Sequence, residues 1–65
     1  MKILLNGEAF ATDAKTLDEL CARLGFAEAK IATAVNGNFV AAVQRPATKL
    51  VPADEIEIVA PRQGG

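Results

Sequence analysis

The residues with an evident chemical use stand at the end of the chain: Pro61-Arg62-Gln63-Gly64-Gly65. Pro61 pushes Ala60 toward extended geometry and offers no N–H to a sheet ladder, so pairing is expected to stop near Val59. No apolar side chain follows the proline. Fully extended, these residues would reach about 15–18 Å, at roughly 3.3–3.6 Å each. Gly64 and Gly65 lack Cβ atoms, so the backbone is thin and open to φ values closed to other residues. Such an end could enter a narrow channel that rejects bulkier ones. The reactive group would be the α-carboxylate of Gly65. With an ordinary pKa of about 3.3–3.7 it is an anion at neutral pH, and a poor electrophile. It would need activation on another protein, for example as an acyl-adenylate made with ATP, before a nucleophile could displace AMP. The bland alternative is a frayed terminus.

The rest of the chain offers little else to react. There is no His, Trp or Tyr, and no Ser. That removes the commonest general base and metal ligand. With Cys21 alone, zinc sites of thiolate and imidazole type are excluded within one chain, as are Ser-His-Asp and Cys-His nucleophile systems. No glycine-rich nucleotide loop appears. The chain is expected not to be an enzyme, to hold no metal, and to serve as a protein co-substrate for partner enzymes.

Composition sets the remaining bounds. The chain has 65 residues, of which 51 % are hydrophobic and 23 % charged. That is enough for one small domain with little interior left for a buried pocket. A net charge of -1 argues against nucleic acid, and no cationic amphipathic stretch argues for a membrane surface. No apolar run is long enough to cross a bilayer, and no secretory leader is visible. A lone cysteine agrees with a reducing compartment, so the cytoplasm is the expected location.

The elements that must position the tail are legible from turn and period signals. Met1 to Leu5 and Glu8 to Thr12 flank Asn6-Gly7, a strong hairpin signal. Thr16 is placed as an N-cap with Glu19 three residues on, as a capping box requires. Leu17, Leu20, Cys21 and Leu24 then fall on one helix face. Gly25 suits the left-handed position after the helix, and Phe26 can fold back onto Leu20 or Cys21. Ala27 to Lys30 reads as a loop or single turn. Ile31 to Val35, Asn36-Gly37 and Phe39 to Val43 predict a second hairpin, ended or confined to an edge by Pro46. Thr48 to Val51 reads as a short strand or turn, and Pro52-Ala53-Asp54 as turn chemistry. Glu55 to Val59 is the last strand, with Ile56 and Ile58 on one face and Glu55 and Glu57 on the other.

One amphipathic helix is the sole cover for the sheet's apolar face. The expected architecture is therefore α+β: a mixed four- to five-stranded sheet wrapped around one main helix, the β-grasp or ubiquitin-like fold. The domain is placed at residues 1–60 and a flexible Gly-Gly-ending tail at 61–65.

These pieces together resemble the ThiS family, the sulfur carrier proteins of thiamine biosynthesis. The resemblance runs through Lys2-Ile3-Leu4-Leu5 with Asn6-Gly7, and Thr16-Leu17-Asp18-Glu19-Leu20. It continues through Ala34-Val35-Asn36-Gly37 with Val40, and Asp54-Glu55-Ile56-Glu57-Ile58-Val59 leading to Gln63-Gly64-Gly65. It implies a β-grasp fold and adenylation of the Gly65 carboxylate by an adenylyltransferase of the ThiF or MoeB type, which uses ATP and magnesium. Conversion to a thiocarboxylate would follow, with sulfur from a cysteine desulfurase or rhodanese-type donor and delivery to a ThiG-like thiazole synthase. Gly65 is then the attachment point, and Gly64, Gln63 and Arg62 present it; no cofactor stays bound. The chain departs from the family pattern at three places. Ala41 and Ala42 replace a usual Pro and basic residue, Ala53-Asp54 a usual Gly-Asp, and Arg62 a usual apolar residue.

Other residues have plainer readings. Cys21 is expected in the core, as buried thiols behave as small hydrophobes. Asn6-Gly7 and Asn36-Gly37 are turns with no binding role. Glu55 and Glu57 form a solvated strand face or, alternatively, a docking patch for a basic surface. Arg62 is a solvated charge, or pairs with an acidic group or a phosphate in the activating site. Phe39 is core or partner contact. Rival functions are a molybdopterin synthase small-subunit type of sulfur carrier, whose chains usually run longer, a ubiquitin-like modifier joined to lysines, and an inert β-grasp interaction module.

Overall fold

Two Asn-Gly pairs fold the chain back on itself. Asn6 and Gly7 take φ of 50° and 85°, and Asn36 and Gly37 take 51° and 83°, positive at both central positions as a type I′ turn requires. The first joins β1 (Lys2–Leu5) to β2 (Glu8–Ala11); the second joins β3 (Ala32–Val35) to β4 (Asn38–Val40). The structure, a computed structural model, describes residues 1–26 and 30–60. The expected turn at Ala27 to Lys30 lies mostly outside them, and the expected tail at 61–65 lies wholly outside.

The last strand, β5 (Glu55–Val59), fills the gap between the hairpins, giving the order β2-β1-β5-β3-β4. It runs parallel to β1, with Leu4 opposite Glu55 and Leu5 opposite Ile56. It runs antiparallel to β3, from Ala32 opposite Val59 to Val35 opposite Ile56. The sheet is mixed and five-stranded, as the β-grasp reading expects.

An asparagine clasps each end of β5. At its start, Asn36 N donates to the Glu55 carbonyl at 2.7 Å, and Glu55 N donates to Asn36 Oδ1 at 3.0 Å. At its far end, Ile58 N donates to Asn6 Oδ1 at 2.9 Å, and Asn6 Nδ2 donates to the Ile58 carbonyl at 3.2 Å.

The helix α1 (Leu17–Arg23) is capped at both ends. Glu19 N donates to Thr16 Oγ1 at 3.1 Å, satisfying one of the free donors of the first turn. The Glu19 carboxylate reaches back to Lys15 N at 2.7 Å, one residue short of the Thr16 N of a standard capping box. At the far end Gly25 takes φ 89°. Gly25 N donates to the Ala22 carbonyl and Phe26 N to the Cys21 carbonyl, at 3.1 and 2.8 Å. This is the Schellman arrangement, and it folds Phe26 against the core as its spacing predicts.

α1 lies on the inner face of the sheet. Leu17, Leu20 and Cys21 meet Ile3, Val40, Leu50, Ile56 and Ile58, with Ala14 closing the edge. Truncating a buried leucine such as Leu20 to alanine costs about 2–5 kcal/mol, a large part of a small domain's stability.

The return strand ends earlier than its apolar run predicts. β4 stops at Val40, and Ala42–Ala47 form a 3-10 helix that includes Pro46. β4 is the sheet's edge, so further residues would gain ladder bonds on one side only. Turning instead leaves Val43 87 % exposed, carries Arg45 onto β3, and leads the chain back so that Leu50 enters the core. Thr48 to Val51 is neither a regular strand nor a tight turn. It makes an isolated bridge beside α1, with Leu17 N on the Thr48 carbonyl and Leu50 N on the Lys15 carbonyl, both at 2.9 Å.

Candidate functional site

β5 alternates strictly. Ile56 and Ile58 are buried, while Glu55, Glu57 and Val59 face outward. Register then decides which outward residues are neighbours. Ala34 stands opposite both Glu57 and Phe39, and Ala32 opposite Val59. The small alanines on β3 leave a shallow cleft of about 200 Å³ between Phe39 and the Glu57–Val59 edge. Phe39 is 72 % exposed, so its core reading is corrected: it lies across the sheet from α1, where no element among the described residues covers it. Leu4, opposite Glu55, joins the same face and is partly exposed, and Val59 is mostly exposed.

The result is an open face of apolar side chains edged by two carboxylates, on the strand that leads toward the chain's end. Sequence reasoning named Phe39, Glu55 and Glu57 separately and missed Leu4 and Val59. The alternation of Glu55-Ile56-Glu57-Ile58-Val59 already places Val59 with the glutamates. Leu4 joins them only through the parallel pairing of β1 with β5. Arg62, Gln63, Gly64 and Gly65 lie outside the described residues.

A larger concavity, about 660 Å³, lies elsewhere, lined by Met1, Asp13, Ala14, Lys15, Thr16, Lys49, Leu50 and Val51. Because β1 and β5 are parallel, Met1 sits at the end of the sheet where β5 begins, and β5 ends with Val59 at the opposite end. That groove is not where β5 ends.

Among the described residues, ionisable groups are either solvated or structurally employed. Arg23 pairs with Asp13 and with Glu19, the latter at 3.5 Å. The hydrogen bond and charge of Arg23 hold the Asp13 carboxyl below its ordinary range. Asp54 is buried, and its oxygens accept from Val51 N at 2.9 Å and Asn36 Nδ2 at 3.0 Å. Burial pushes the Cys21 thiol up, as expected of a core cysteine. No group of His, Cys, Asp and Glu among the described residues is placed to hold a metal. No helix among them is long and apolar enough to cross a membrane.

A family model, the ThiS family, matches residues 3–65. The chain belongs to the ThiS family. It is also similar in structure to the thiamine biosynthesis protein (ThiS) of Geobacter metallireducens, known from a crystal structure. The two are 28 % identical, the match covers 100 % of each chain, and the TM-score is 0.80. No curated protein matches. The β-grasp fold and the family together make this ThiS-family chain a sulfur carrier of thiamine biosynthesis.

Proposed function

We propose that sulfur travels on the Gly65 carboxylate, with residues 1–60 as the recognised body and 61–65 as the presenting segment. The observation that carries this reading is the span of the family match, which runs through Gln63-Gly64-Gly65 to residue 65. A carboxylate oxygen of Gly65 attacks the α-phosphorus of ATP on a ThiF- or MoeB-like adenylyltransferase, which supplies the magnesium, and pyrophosphate leaves. The terminal sulfur of a persulfide on a cysteine desulfurase or rhodanese-type donor then attacks the acyl carbon, and a thiol reductant afterwards cleaves the S–S bond to the donor and is itself oxidised to a disulfide. The C–S bond forms, the C–O bond to AMP breaks, and a thiocarboxylate remains. A ThiG-like thiazole synthase takes the sulfur and the carboxylate returns. The chain itself does no catalysis in this scheme and keeps no cofactor, and Gly64, Gln63 and Arg62 thread the reactive end into each partner.

The uncovered face of Phe39, Leu4, Val59 and Glu57 is the proposed docking surface for the adenylyltransferase. It shares β5 with the outgoing segment, and its carboxylates favour a basic partner surface.

The test is intact-mass measurement after incubation with ATP, magnesium, the cognate adenylyltransferase and a sulfur source. The expected result is a gain equal to one sulfur-for-oxygen exchange, abolished by deleting Gly65. An unchanged mass, or adducts on lysines instead, would overturn the reading.

A further inference from the structure

We infer that Asn6 is a positioning residue for the reactive end: its side-chain amide stands in for a missing strand residue and fixes the direction in which β5 leaves the sheet. The parallel ladder between β1 and β5 ends where Asn6 N donates to the Ile56 carbonyl at 2.8 Å. There the chain turns away at Asn6-Gly7 into β2. Ile58, two residues further along β5, would then present its N–H and C=O on that side to solvent. Both are taken instead by the Asn6 amide, Oδ1 accepting at 2.9 Å and Nδ2 donating at 3.2 Å. A carboxamide offers a donor and an acceptor side by side, as a peptide unit does. On the other side Ile58 stands opposite Thr33 of β3. β5 is thus held on both sides at Ile58, one residue before the strand ends at Val59.

The grip matters because the proposed chemistry takes place at Gly65, no more than about 25 Å beyond Ile58 at up to roughly 3.6 Å per residue. The point at which β5 is anchored decides how far Gly65 can reach from the docked body, and a misplacement of about 1 Å at a reacting atom can cost on the order of 100-fold in rate. The inference rests on the proposed role of Gly65. It adds what that role leaves open, namely which residue of the body aims the end.

Asn6→Gly removes the amide and keeps the turn, since glycine accepts the positive φ found there. Asn36→Gly removes the side-chain half of the clasp at the start of β5, together with the Asn36 amide bond to Asp54, and serves as the control for a purely structural loss. Two readouts are taken on the unsubstituted chain and both variants. Hydrogen exchange should show the Ile58 amide exposed in Asn6→Gly alone, while Glu57 and Val59, bonded toward β3, stay protected. Steady-state adenylation should show KM for the carrier unchanged and kcat lowered about tenfold in Asn6→Gly, with kcat unchanged in Asn36→Gly. Wild-type kcat in Asn6→Gly despite an exposed Ile58 amide overturns the clamp and leaves the carrier reading intact. An equal fall in kcat for both variants also overturns it, as that is general loosening. An unsubstituted chain that is never adenylated overturns the carrier reading and the clamp's function with it.

Discussion

Arg45 Nε donates to Thr33 Oγ1 across 3.0 Å, and the Thr33 hydroxyl donates in turn to the Val40 carbonyl at 2.8 Å. A second guanidinium nitrogen reaches the Ile31 carbonyl at 2.8 Å. One side chain of the 3-10 helix thereby ties β3 to the end of β4, through a threonine only 1 % exposed. Arg45→Met keeps the stem and removes the fork, leaving an acceptor at the Ile31 carbonyl to find water. The expected cost is about 2 kcal/mol, as for hydrogen bonds from a charged donor. Urea denaturation measures it. Thr33→Val should cost less in the Arg45→Met background than alone, because the two share one network. Strict additivity would show that the contact carries no coupling.

Ala53 sits at φ 73°. It follows Pro52 in a turn closed by Asp54 N on the Val51 carbonyl at 3.2 Å, a type II pattern whose third residue favours glycine. The methyl group there is strained by about 1–2 kcal/mol, partly offset by the lower entropy of an unfolded alanine. Ala53→Gly should therefore stabilise the fold, by about 0.5–1 kcal/mol net. A lower thermal midpoint in the glycine variant would contradict this.

Cys21 has its thiol pKa raised by burial, with the charge of Arg45 opposing and that of Asp18 adding. The folded value lies above the unfolded one. Stability from this group is therefore complete below the unfolded thiol's pKa, about 8.5, and is lost as pH rises through the folded value. Below that window the folded protein should react with iodoacetamide more than about tenfold slower than the denatured chain, since the thiol waits for opening. Equal rates would place the thiol at the surface.

Phe39→Ser should leave stability within about 0.5 kcal/mol, as for exposed sites. It should raise KM for adenylation roughly thirtyfold, the weight of a single aromatic anchor of about 2 kcal/mol. Unchanged KM would remove the uncovered face from the docking proposal. The contrast with Asn6→Gly, which is expected to move kcat, separates holding the body from aiming its end.

Much of the architecture was readable because local signals agreed with the global fold. Asn6-Gly7, Asn36-Gly37, Thr16 with Glu19, and Gly25 with Phe26 each specify backbone geometry through their own chemistry. The misread segment is the one where local pattern and tertiary gain disagree. Ala41-Ala42-Val43 has strand character, but at a sheet edge its pairing is worth less than the Arg45 fork and the burial of Leu50. The uncovered face was half legible: alternation orders the residues along β5, whereas which strands flank it depends on pairings between distant parts of the chain. The Asn6 clasp gave no signal, because an amide completing a ladder 52 residues away looks in sequence like any turn asparagine.

β5 is the central strand of the sheet and the last to be made. Until it emerges from the ribosome, each hairpin shows an unpaired inner edge, on β1 and on β3, and neither half can bury its leucines. Non-local closure of this kind is slow and leaves sticky intermediates. It also means that a chain cut short before residue 59 cannot complete its core, so a body that has folded already guarantees the strand that precedes the proposed attachment point.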